Sequence, residues 1–171
     1  MRERQIGWLL GLLATTYGAA ALGSYLTLPS LENWYPALHK PRWTPPNAVF
    51  GPVWTVLYTQ MAIAAWLVRR HAAIRADQRQ ARDAALGAWL LQLVLNVAWS
   101  DAFFHRRSPR LGLAVIALLW GTIAATVALA ARVTRVGALL LVPYLAWTSY
   151  AAALNFRIWQ LNRSATPAVP Q

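Results

Sequence analysis

The chain has no cysteine, and Asp and Glu together number five among its 171 residues. The first absence excludes disulfides, thiolate metal sites and thiol nucleophiles, and it leaves the redox compartment unread. Charged residues of either sign make up 12% of the chain against an apolar fraction of 58%, where soluble domains run at roughly 25% and 45–50%. That is the composition of a membrane protein. Lysine occurs once, as Lys40, and the other basic residues are arginines that carry the formal net charge to +11. A nucleic-acid footprint needs a basic face on a water-soluble domain. Here the arginines lie in short clusters between apolar runs, as they do beside membrane spans, so no nucleic-acid partner is expected.

Chemical constellations are equally scarce. His39, His71 and His105 fall in different connectors, with no second His or carboxylate at ligand spacing, so no metal site is expected. There is no carboxylate pair for acid–base work, no Ser-His-Asp arrangement and no phosphate-cradling Gly loop; no cofactor is expected. Asp101 and His105 stand four apart at the end of an apolar run. They read as an interfacial ion pair, with a role in proton or ligand handling as the open alternative.

What is present is hydrophobic length. Apolar runs extend over about 6–28, 48–68, 84–104, 111–131 and 136–161, each able to cross roughly 30 Å of hydrocarbon as a helix. The fold class expected is therefore all-α: a single integral membrane domain, a five-transmembrane-helix bundle with its ends on opposite sides. The first run is too long for a signal h-region and is read as a retained helix. Along it Gly7, Gly11, Thr15, Ala19 and Gly23 recur every fourth residue, a small-residue ridge that suits close helix contact in lipid, either within the monomer or across a dimer seam. The stretch 69–83 reads as a solvated helical extension, and 163–171 as a disordered tail. Orientation is not decided: nine Lys and Arg flank one side and seven the other.

Prolines concentrate in the first connector. Pro36, Pro41, Pro45 and Pro46 hold residues 29–47 out of regular helix, because proline fixes φ, lacks a donor and biases its predecessor away from the helical region. The expectation is a stiff lid over one end of the bundle. Thr44 or Asn47 is positioned to cap the following helix, and Pro143 to kink the last one.

Ten tryptophans remain. Trp8, Trp66, Trp89 and Trp159 lie near helix ends, where interfacial belts place indoles. Trp54, Trp99, Trp120 and Trp147 lie deeper. Indole faces with a few placed polar groups suit a flat apolar ligand. Gln92, Asn96 and Ser100 share a helix face; with Tyr58 they are the candidate polar groups, and Lys40 and Arg42 stand at the mouth for a carboxylate.

The runs WYPALHKPRWTPP and FGPVWTVLY, then LQLVLNVAWSDAFF, then LLVPYLAWTSYAAALNFRIWQLN resemble the TspO/translocator protein family of tryptophan-rich sensory proteins. The resemblance covers about residues 6–162. It implies five transmembrane helices, commonly a homodimer, and a pocket under the first loop that binds porphyrins such as protoporphyrin IX and, in animal members, cholesterol and drugs. It implies that Trp54 in GPVW and Trp147 in PYLAW are pocket indoles; members said to degrade protoporphyrin in light and oxygen depend on these positions. Tyr35, Trp43, Asn96, Trp99, Ala151 and Leu154 match further ligand-contacting or lid positions. Phe156 stands where the sterol motif of animal members requires Tyr, which weighs against sterol binding, and Asp101 is an acid where relatives are less polar.

Overall fold

The computed structural model describes residues 2–71 and 76–163, and all regular structure there is helical. Helix α1 spans Arg2–Glu32, α2 Trp34–Ala37, α3 Asn47–Arg70, α4 Ala76–Ser100, α5 Pro109–Ala131 and α6 Arg135–Asn162. A π-helical turn, Asp101–His105, is joined directly to the end of α4. Five of these units, α1, α3, α4 with its π turn, α5 and α6, are apolar enough to cross a membrane, at 23 to 30 residues each. The protein is an all-α, five-helix integral membrane bundle.

The helices close into a ring in which α1 packs on α3, α3 on α6, α6 on α5, α5 on α4 and α4 back on α1. In lipid there is little apolar driving force between helices, so van der Waals contact between small side chains must hold such a ring. The sequence supplies them: Ala62, Ala64 and Ala65 of α3, Ala85 of α4, Ala130 of α5 and Ala138 of α6 are buried. A Cβ on Gly137 would meet Thr134 Cγ2, just before α6, at 2.8 Å, and would reach Val68 Cγ2 and the Ala64 carbonyl oxygen of α3 only at contact distance, 3.4 and 3.5 Å.

Several elements differ from the sequence reading. The first helix passes through Pro29 to Glu32. Pro29 removes the bond to the carbonyl of the exposed Tyr25, and Ser30 helps hold the extra turn by donating to the Phe104 carbonyl at 2.7 Å. The first connector is not wholly irregular, since Trp34–Ala37 forms a helical turn that includes Pro36. Neither Thr44 nor Asn47 caps α3: Pro46 occupies the cap position, and Thr44 Oγ1 donates back to the Pro41 carbonyl at 2.8 Å. Residues 76–83, by contrast, are helical as expected, because α4 starts at Ala76. Residues 164–171 of the proposed tail, and 72–75 of the connector, lie outside the described residues.

The expected Asp101–His105 pair does not form. Asp101 instead binds Arg106 Nε through Oδ2 at 2.6 Å. The wider π turn explains this: the Arg106 N–H closes on the Asp101 carbonyl at 2.8 Å, bringing the arginine beside the acid. Arg107, with φ of 53°, ends the turn. The small-residue ridge divides. A Cβ on Gly23 would meet Ser100 Oγ at 3.3 Å, whereas Gly7 and Gly11 have no neighbour within 4 Å of that position.

Candidate functional site

At the end of the bundle capped by residues 33–46, the ring is hollow. A cavity of about 480 Å³ lies among α1, α3, α4, the π turn and α6. That is within the range of small-molecule sites, roughly 300–1,000 Å³. Tryptophans hold it open, each paired with a second aromatic one helical turn along its own helix. Trp54 stacks on Tyr58 with centroids 5.4 Å apart, Trp99 on Phe103 at 5.7 Å and Trp147 on Tyr150 at 5.5 Å. Residues three or four apart share a helix face, so α3, α4 with its π turn, and α6 each present a rigid aromatic plate. Edge contacts join the plates to further rings: Trp54 to Tyr144 at 6.2 Å and Trp147 to Phe50 at 5.9 Å. All six plate residues, with Ala151 and Leu154 of α6, line the cavity.

The polar floor is already bonded. Tyr58 Oη donates to Asn96 Oδ1 at 2.8 Å, and Asn96 Nδ2 donates to Tyr144 Oη at 2.9 Å. Trp99 Nε1 donates to Asn155 Oδ1 at 3.2 Å, and Asn155 Nδ2 donates to the Pro109 carbonyl at 2.8 Å. Asn96 keeps one amide hydrogen free of protein acceptors in this arrangement. Aromatic and other uncharged side chains line the cavity, and none of the lining residues carries a fixed charge.

Tyr35, in α2, is buried against Phe103 and Phe104 and also lines the cavity. Burial, with a smaller contribution from nearby Tyr150, raises its phenol pKa above 10, so it is protonated at neutral pH. Trp43 does not reach the wall. It is half exposed, its ring meets Tyr150 edge-on at 5.5 Å, and its carbonyl accepts from Tyr150 Oη at 2.8 Å. The connector is further tied to α6 by Asn162, which accepts from the His39 N–H at 3.1 Å and donates to the His39 carbonyl at 2.9 Å.

Ala21 and Ser24 of α1 and Gly51 and Thr55 of α3 also line the cavity and are exposed. Tyr17 Oη ties the same two helices, bonding Thr59 Oγ1 at 2.8 Å and donating to the Thr55 carbonyl at 3.3 Å.

Four sequence readings need correction. Gln92 is buried outside the wall, with its Nε2 3.5 Å from Met61 Sδ. Lys40 is not a free mouth charge: Nζ donates to the carbonyls of Tyr35, Pro36 and Leu38 at 2.7, 3.1 and 3.1 Å and sits 4.9 Å from the Tyr35 ring centroid. Trp89 is buried rather than interfacial, and its indole donates to the Met61 carbonyl at 3.1 Å. Trp120 faces outward and donates to Ser149. Phe50, Phe103, Tyr150 and Asn155, all lining the cavity, were missed as site residues. The Phe103 signal was available, one turn beyond Trp99; nothing in the sequence marked Asn155.

The architecture and the site together define a multi-pass membrane protein with an aromatic cavity between its helices. A model of the TspO/MBR family matches residues 11–160, and the chain belongs to that family. It is 42% identical to the tryptophan-rich protein TspO of Chlorobaculum tepidum over 82% of this chain and 86% of that one. To the protein CrtK of Rhodobacter capsulatus it is 36% identical over 78% and 81%. The translocator protein of Bos taurus is 35% identical over 83% and 82%.

Proposed function

We propose that the protein binds a flat tetrapyrrole such as protoporphyrin IX within the membrane and acts as its sensor, regulator or carrier. The observation that carries this reading is the set of three aromatic plates around one cavity, formed by Trp54 with Tyr58, Trp99 with Phe103 and Trp147 with Tyr150. A macrocycle gains most from stacking on ring faces, and the bonded floor leaves few polar groups that such a ligand would strand. Names among the relatives, such as translocator protein, fit a regulatory or carrier role.

The test is quenching of Trp emission by protoporphyrin IX in detergent. Saturable micromolar quenching is expected, and Trp54→Ala and Trp147→Ala should each weaken it by about tenfold, the equivalent of one stacked pair. Absence of saturable quenching in the wild type would reject the ligand, and sterols or other lipids would be the next probes.

A second reading, light- and oxygen-dependent degradation of bound porphyrin, is favoured by the placement of Trp54 and Trp147 on the same cavity as electron donors to an excited ring. New pigments formed only on illumination in air, and lost in either Trp variant, would establish it. We also propose a homodimer, which the unpartnered Gly7 and Gly11 face supports; a monomeric mass in light scattering would reject it.

A further inference from the structure

We propose that the end of the bundle remote from the cavity holds the phosphate of an anionic phospholipid on the guanidiniums of Arg69 and Arg70. Both belong to the last turn of α3, and each guanidinium sits over an indole. Arg69 Cζ is 3.6 Å from the Trp8 ring centroid, and Arg70 Cζ is 4.4 Å from that of Trp66. Trp66 is itself fixed, donating its indole N–H to the Gln5 carbonyl at 3.1 Å, which ties α3 to the start of α1.

An indole over one face of each guanidinium leaves the terminal N–H donors for bidentate contact with phosphate oxygens. Among the described residues no hydrogen bond joins these donors to a protein acceptor. Arg69 Nε is buried with no hydrogen-bond partner. Among the described residues no ion pair joins either arginine to a carboxylate, and Asp83 at this end is taken by Arg82 at 3.0 Å. A guanidinium with no counter-charge in a partly buried setting is costly, and an anion from outside the chain that reaches the terminal nitrogens offsets that cost. Lipid is favoured over a free anion by position. Trp8 is 45% exposed at the end of a membrane-spanning helix, as an interfacial indole is.

Native mass spectrometry of the purified protein, offered phosphatidylglycerol and phosphatidylcholine in equal amounts, tests the assignment. Wild type should retain phosphatidylglycerol preferentially. An Arg69→Gln, Arg70→Gln double variant should lose about 25-fold of that preference, at about 1 kcal/mol per juxtamembrane charge. An Arg69→Lys, Arg70→Lys pair, which keeps charge but not the planar fork, should lose most of it too, and it carries the comparison if the glutamine pair does not fold. Arg132→Gln with Arg135→Gln, removing two charges from the same end of the bundle, should leave it unchanged. Survival of the preference in the Arg69 and Arg70 variants, or an equal loss in the Arg132 and Arg135 pair, would overturn the site. Displacement of the lipid by millimolar inorganic phosphate would overturn the lipid assignment in favour of a free anion; undiminished retention supports it.

Discussion

The two halves of the bundle are built from the same helices yet differ in kind. Toward the α5–α6 turn, α3 presents Met61, Ala64, Ala65 and Val68 to Ala85, Trp89 and Leu141 in one continuous core, and the void left among them is only about 10 Å³. Toward the first connector the same helix presents Trp54 and Tyr58, and the ring encloses about 480 Å³. Alanines let backbones approach until the space is full; aromatic pairs stacked along their own helices hold the backbones apart. Stability should therefore reside in the first half and recognition in the second.

Predictions that press on this contrast run from the packed half to the lid. Met61→Ala removes a fully buried side chain from the filled half and should cost about 2–5 kcal/mol, read as a large fall in the midpoint of thermal unfolding in detergent. Trp54→Ala, although it deletes a larger group, should move that midpoint much less, because its ring borders an existing cavity. Equal losses from the two would dissolve the distinction between the halves.

Asn96→Leu lies at the boundary. It strands the hydroxyls of Tyr58 and Tyr144, whose shared amide partner it deletes, and should cost about 1–3 kcal/mol while also reducing porphyrin affinity. A variant that lost affinity with an unchanged midpoint would make Asn96 a ligand group alone. Trp43→Ala should have the smallest effect on stability. It removes one edge contact with Tyr150 but not the carbonyl that Tyr150 binds, so faster porphyrin release with an intact fold is expected in stopped-flow fluorescence. An unchanged off-rate would remove the connector from the binding mechanism.

The five crossings were legible in the sequence, and so were Trp54, Trp99 and Trp147 as deep indoles. The roles of Trp89, Trp120, Gln92 and Lys40 were not. Lys40 looked like a mouth charge because a sequence shows a lysine's charge but not the three carbonyls that the turn of Pro36 and Leu38 folds around it. Gln92 shares a helix face with Asn96, but it lies one turn deeper, where α3 supplies Met61 rather than open space. The pairing of Asp101 with Arg106 depended on a π turn that α-helical spacing does not anticipate.

Sequence alone determined that this chain crosses a membrane and how often, because hydropathy summed over twenty residues is a local property that lipid reads without reference to any neighbour. It also determined that chemistry at the site would rest on aromatic faces, since Cys is absent and acids are few. Which indoles face the cavity was left to tertiary structure. Trp89 and Trp99 lie on one helix, about 80° apart in rotation at 3.6 residues per turn. One points at the alanines of α3 and is sealed in as core; the other points at the gap that the aromatic pairs of α3 and α6 hold open, and becomes its wall.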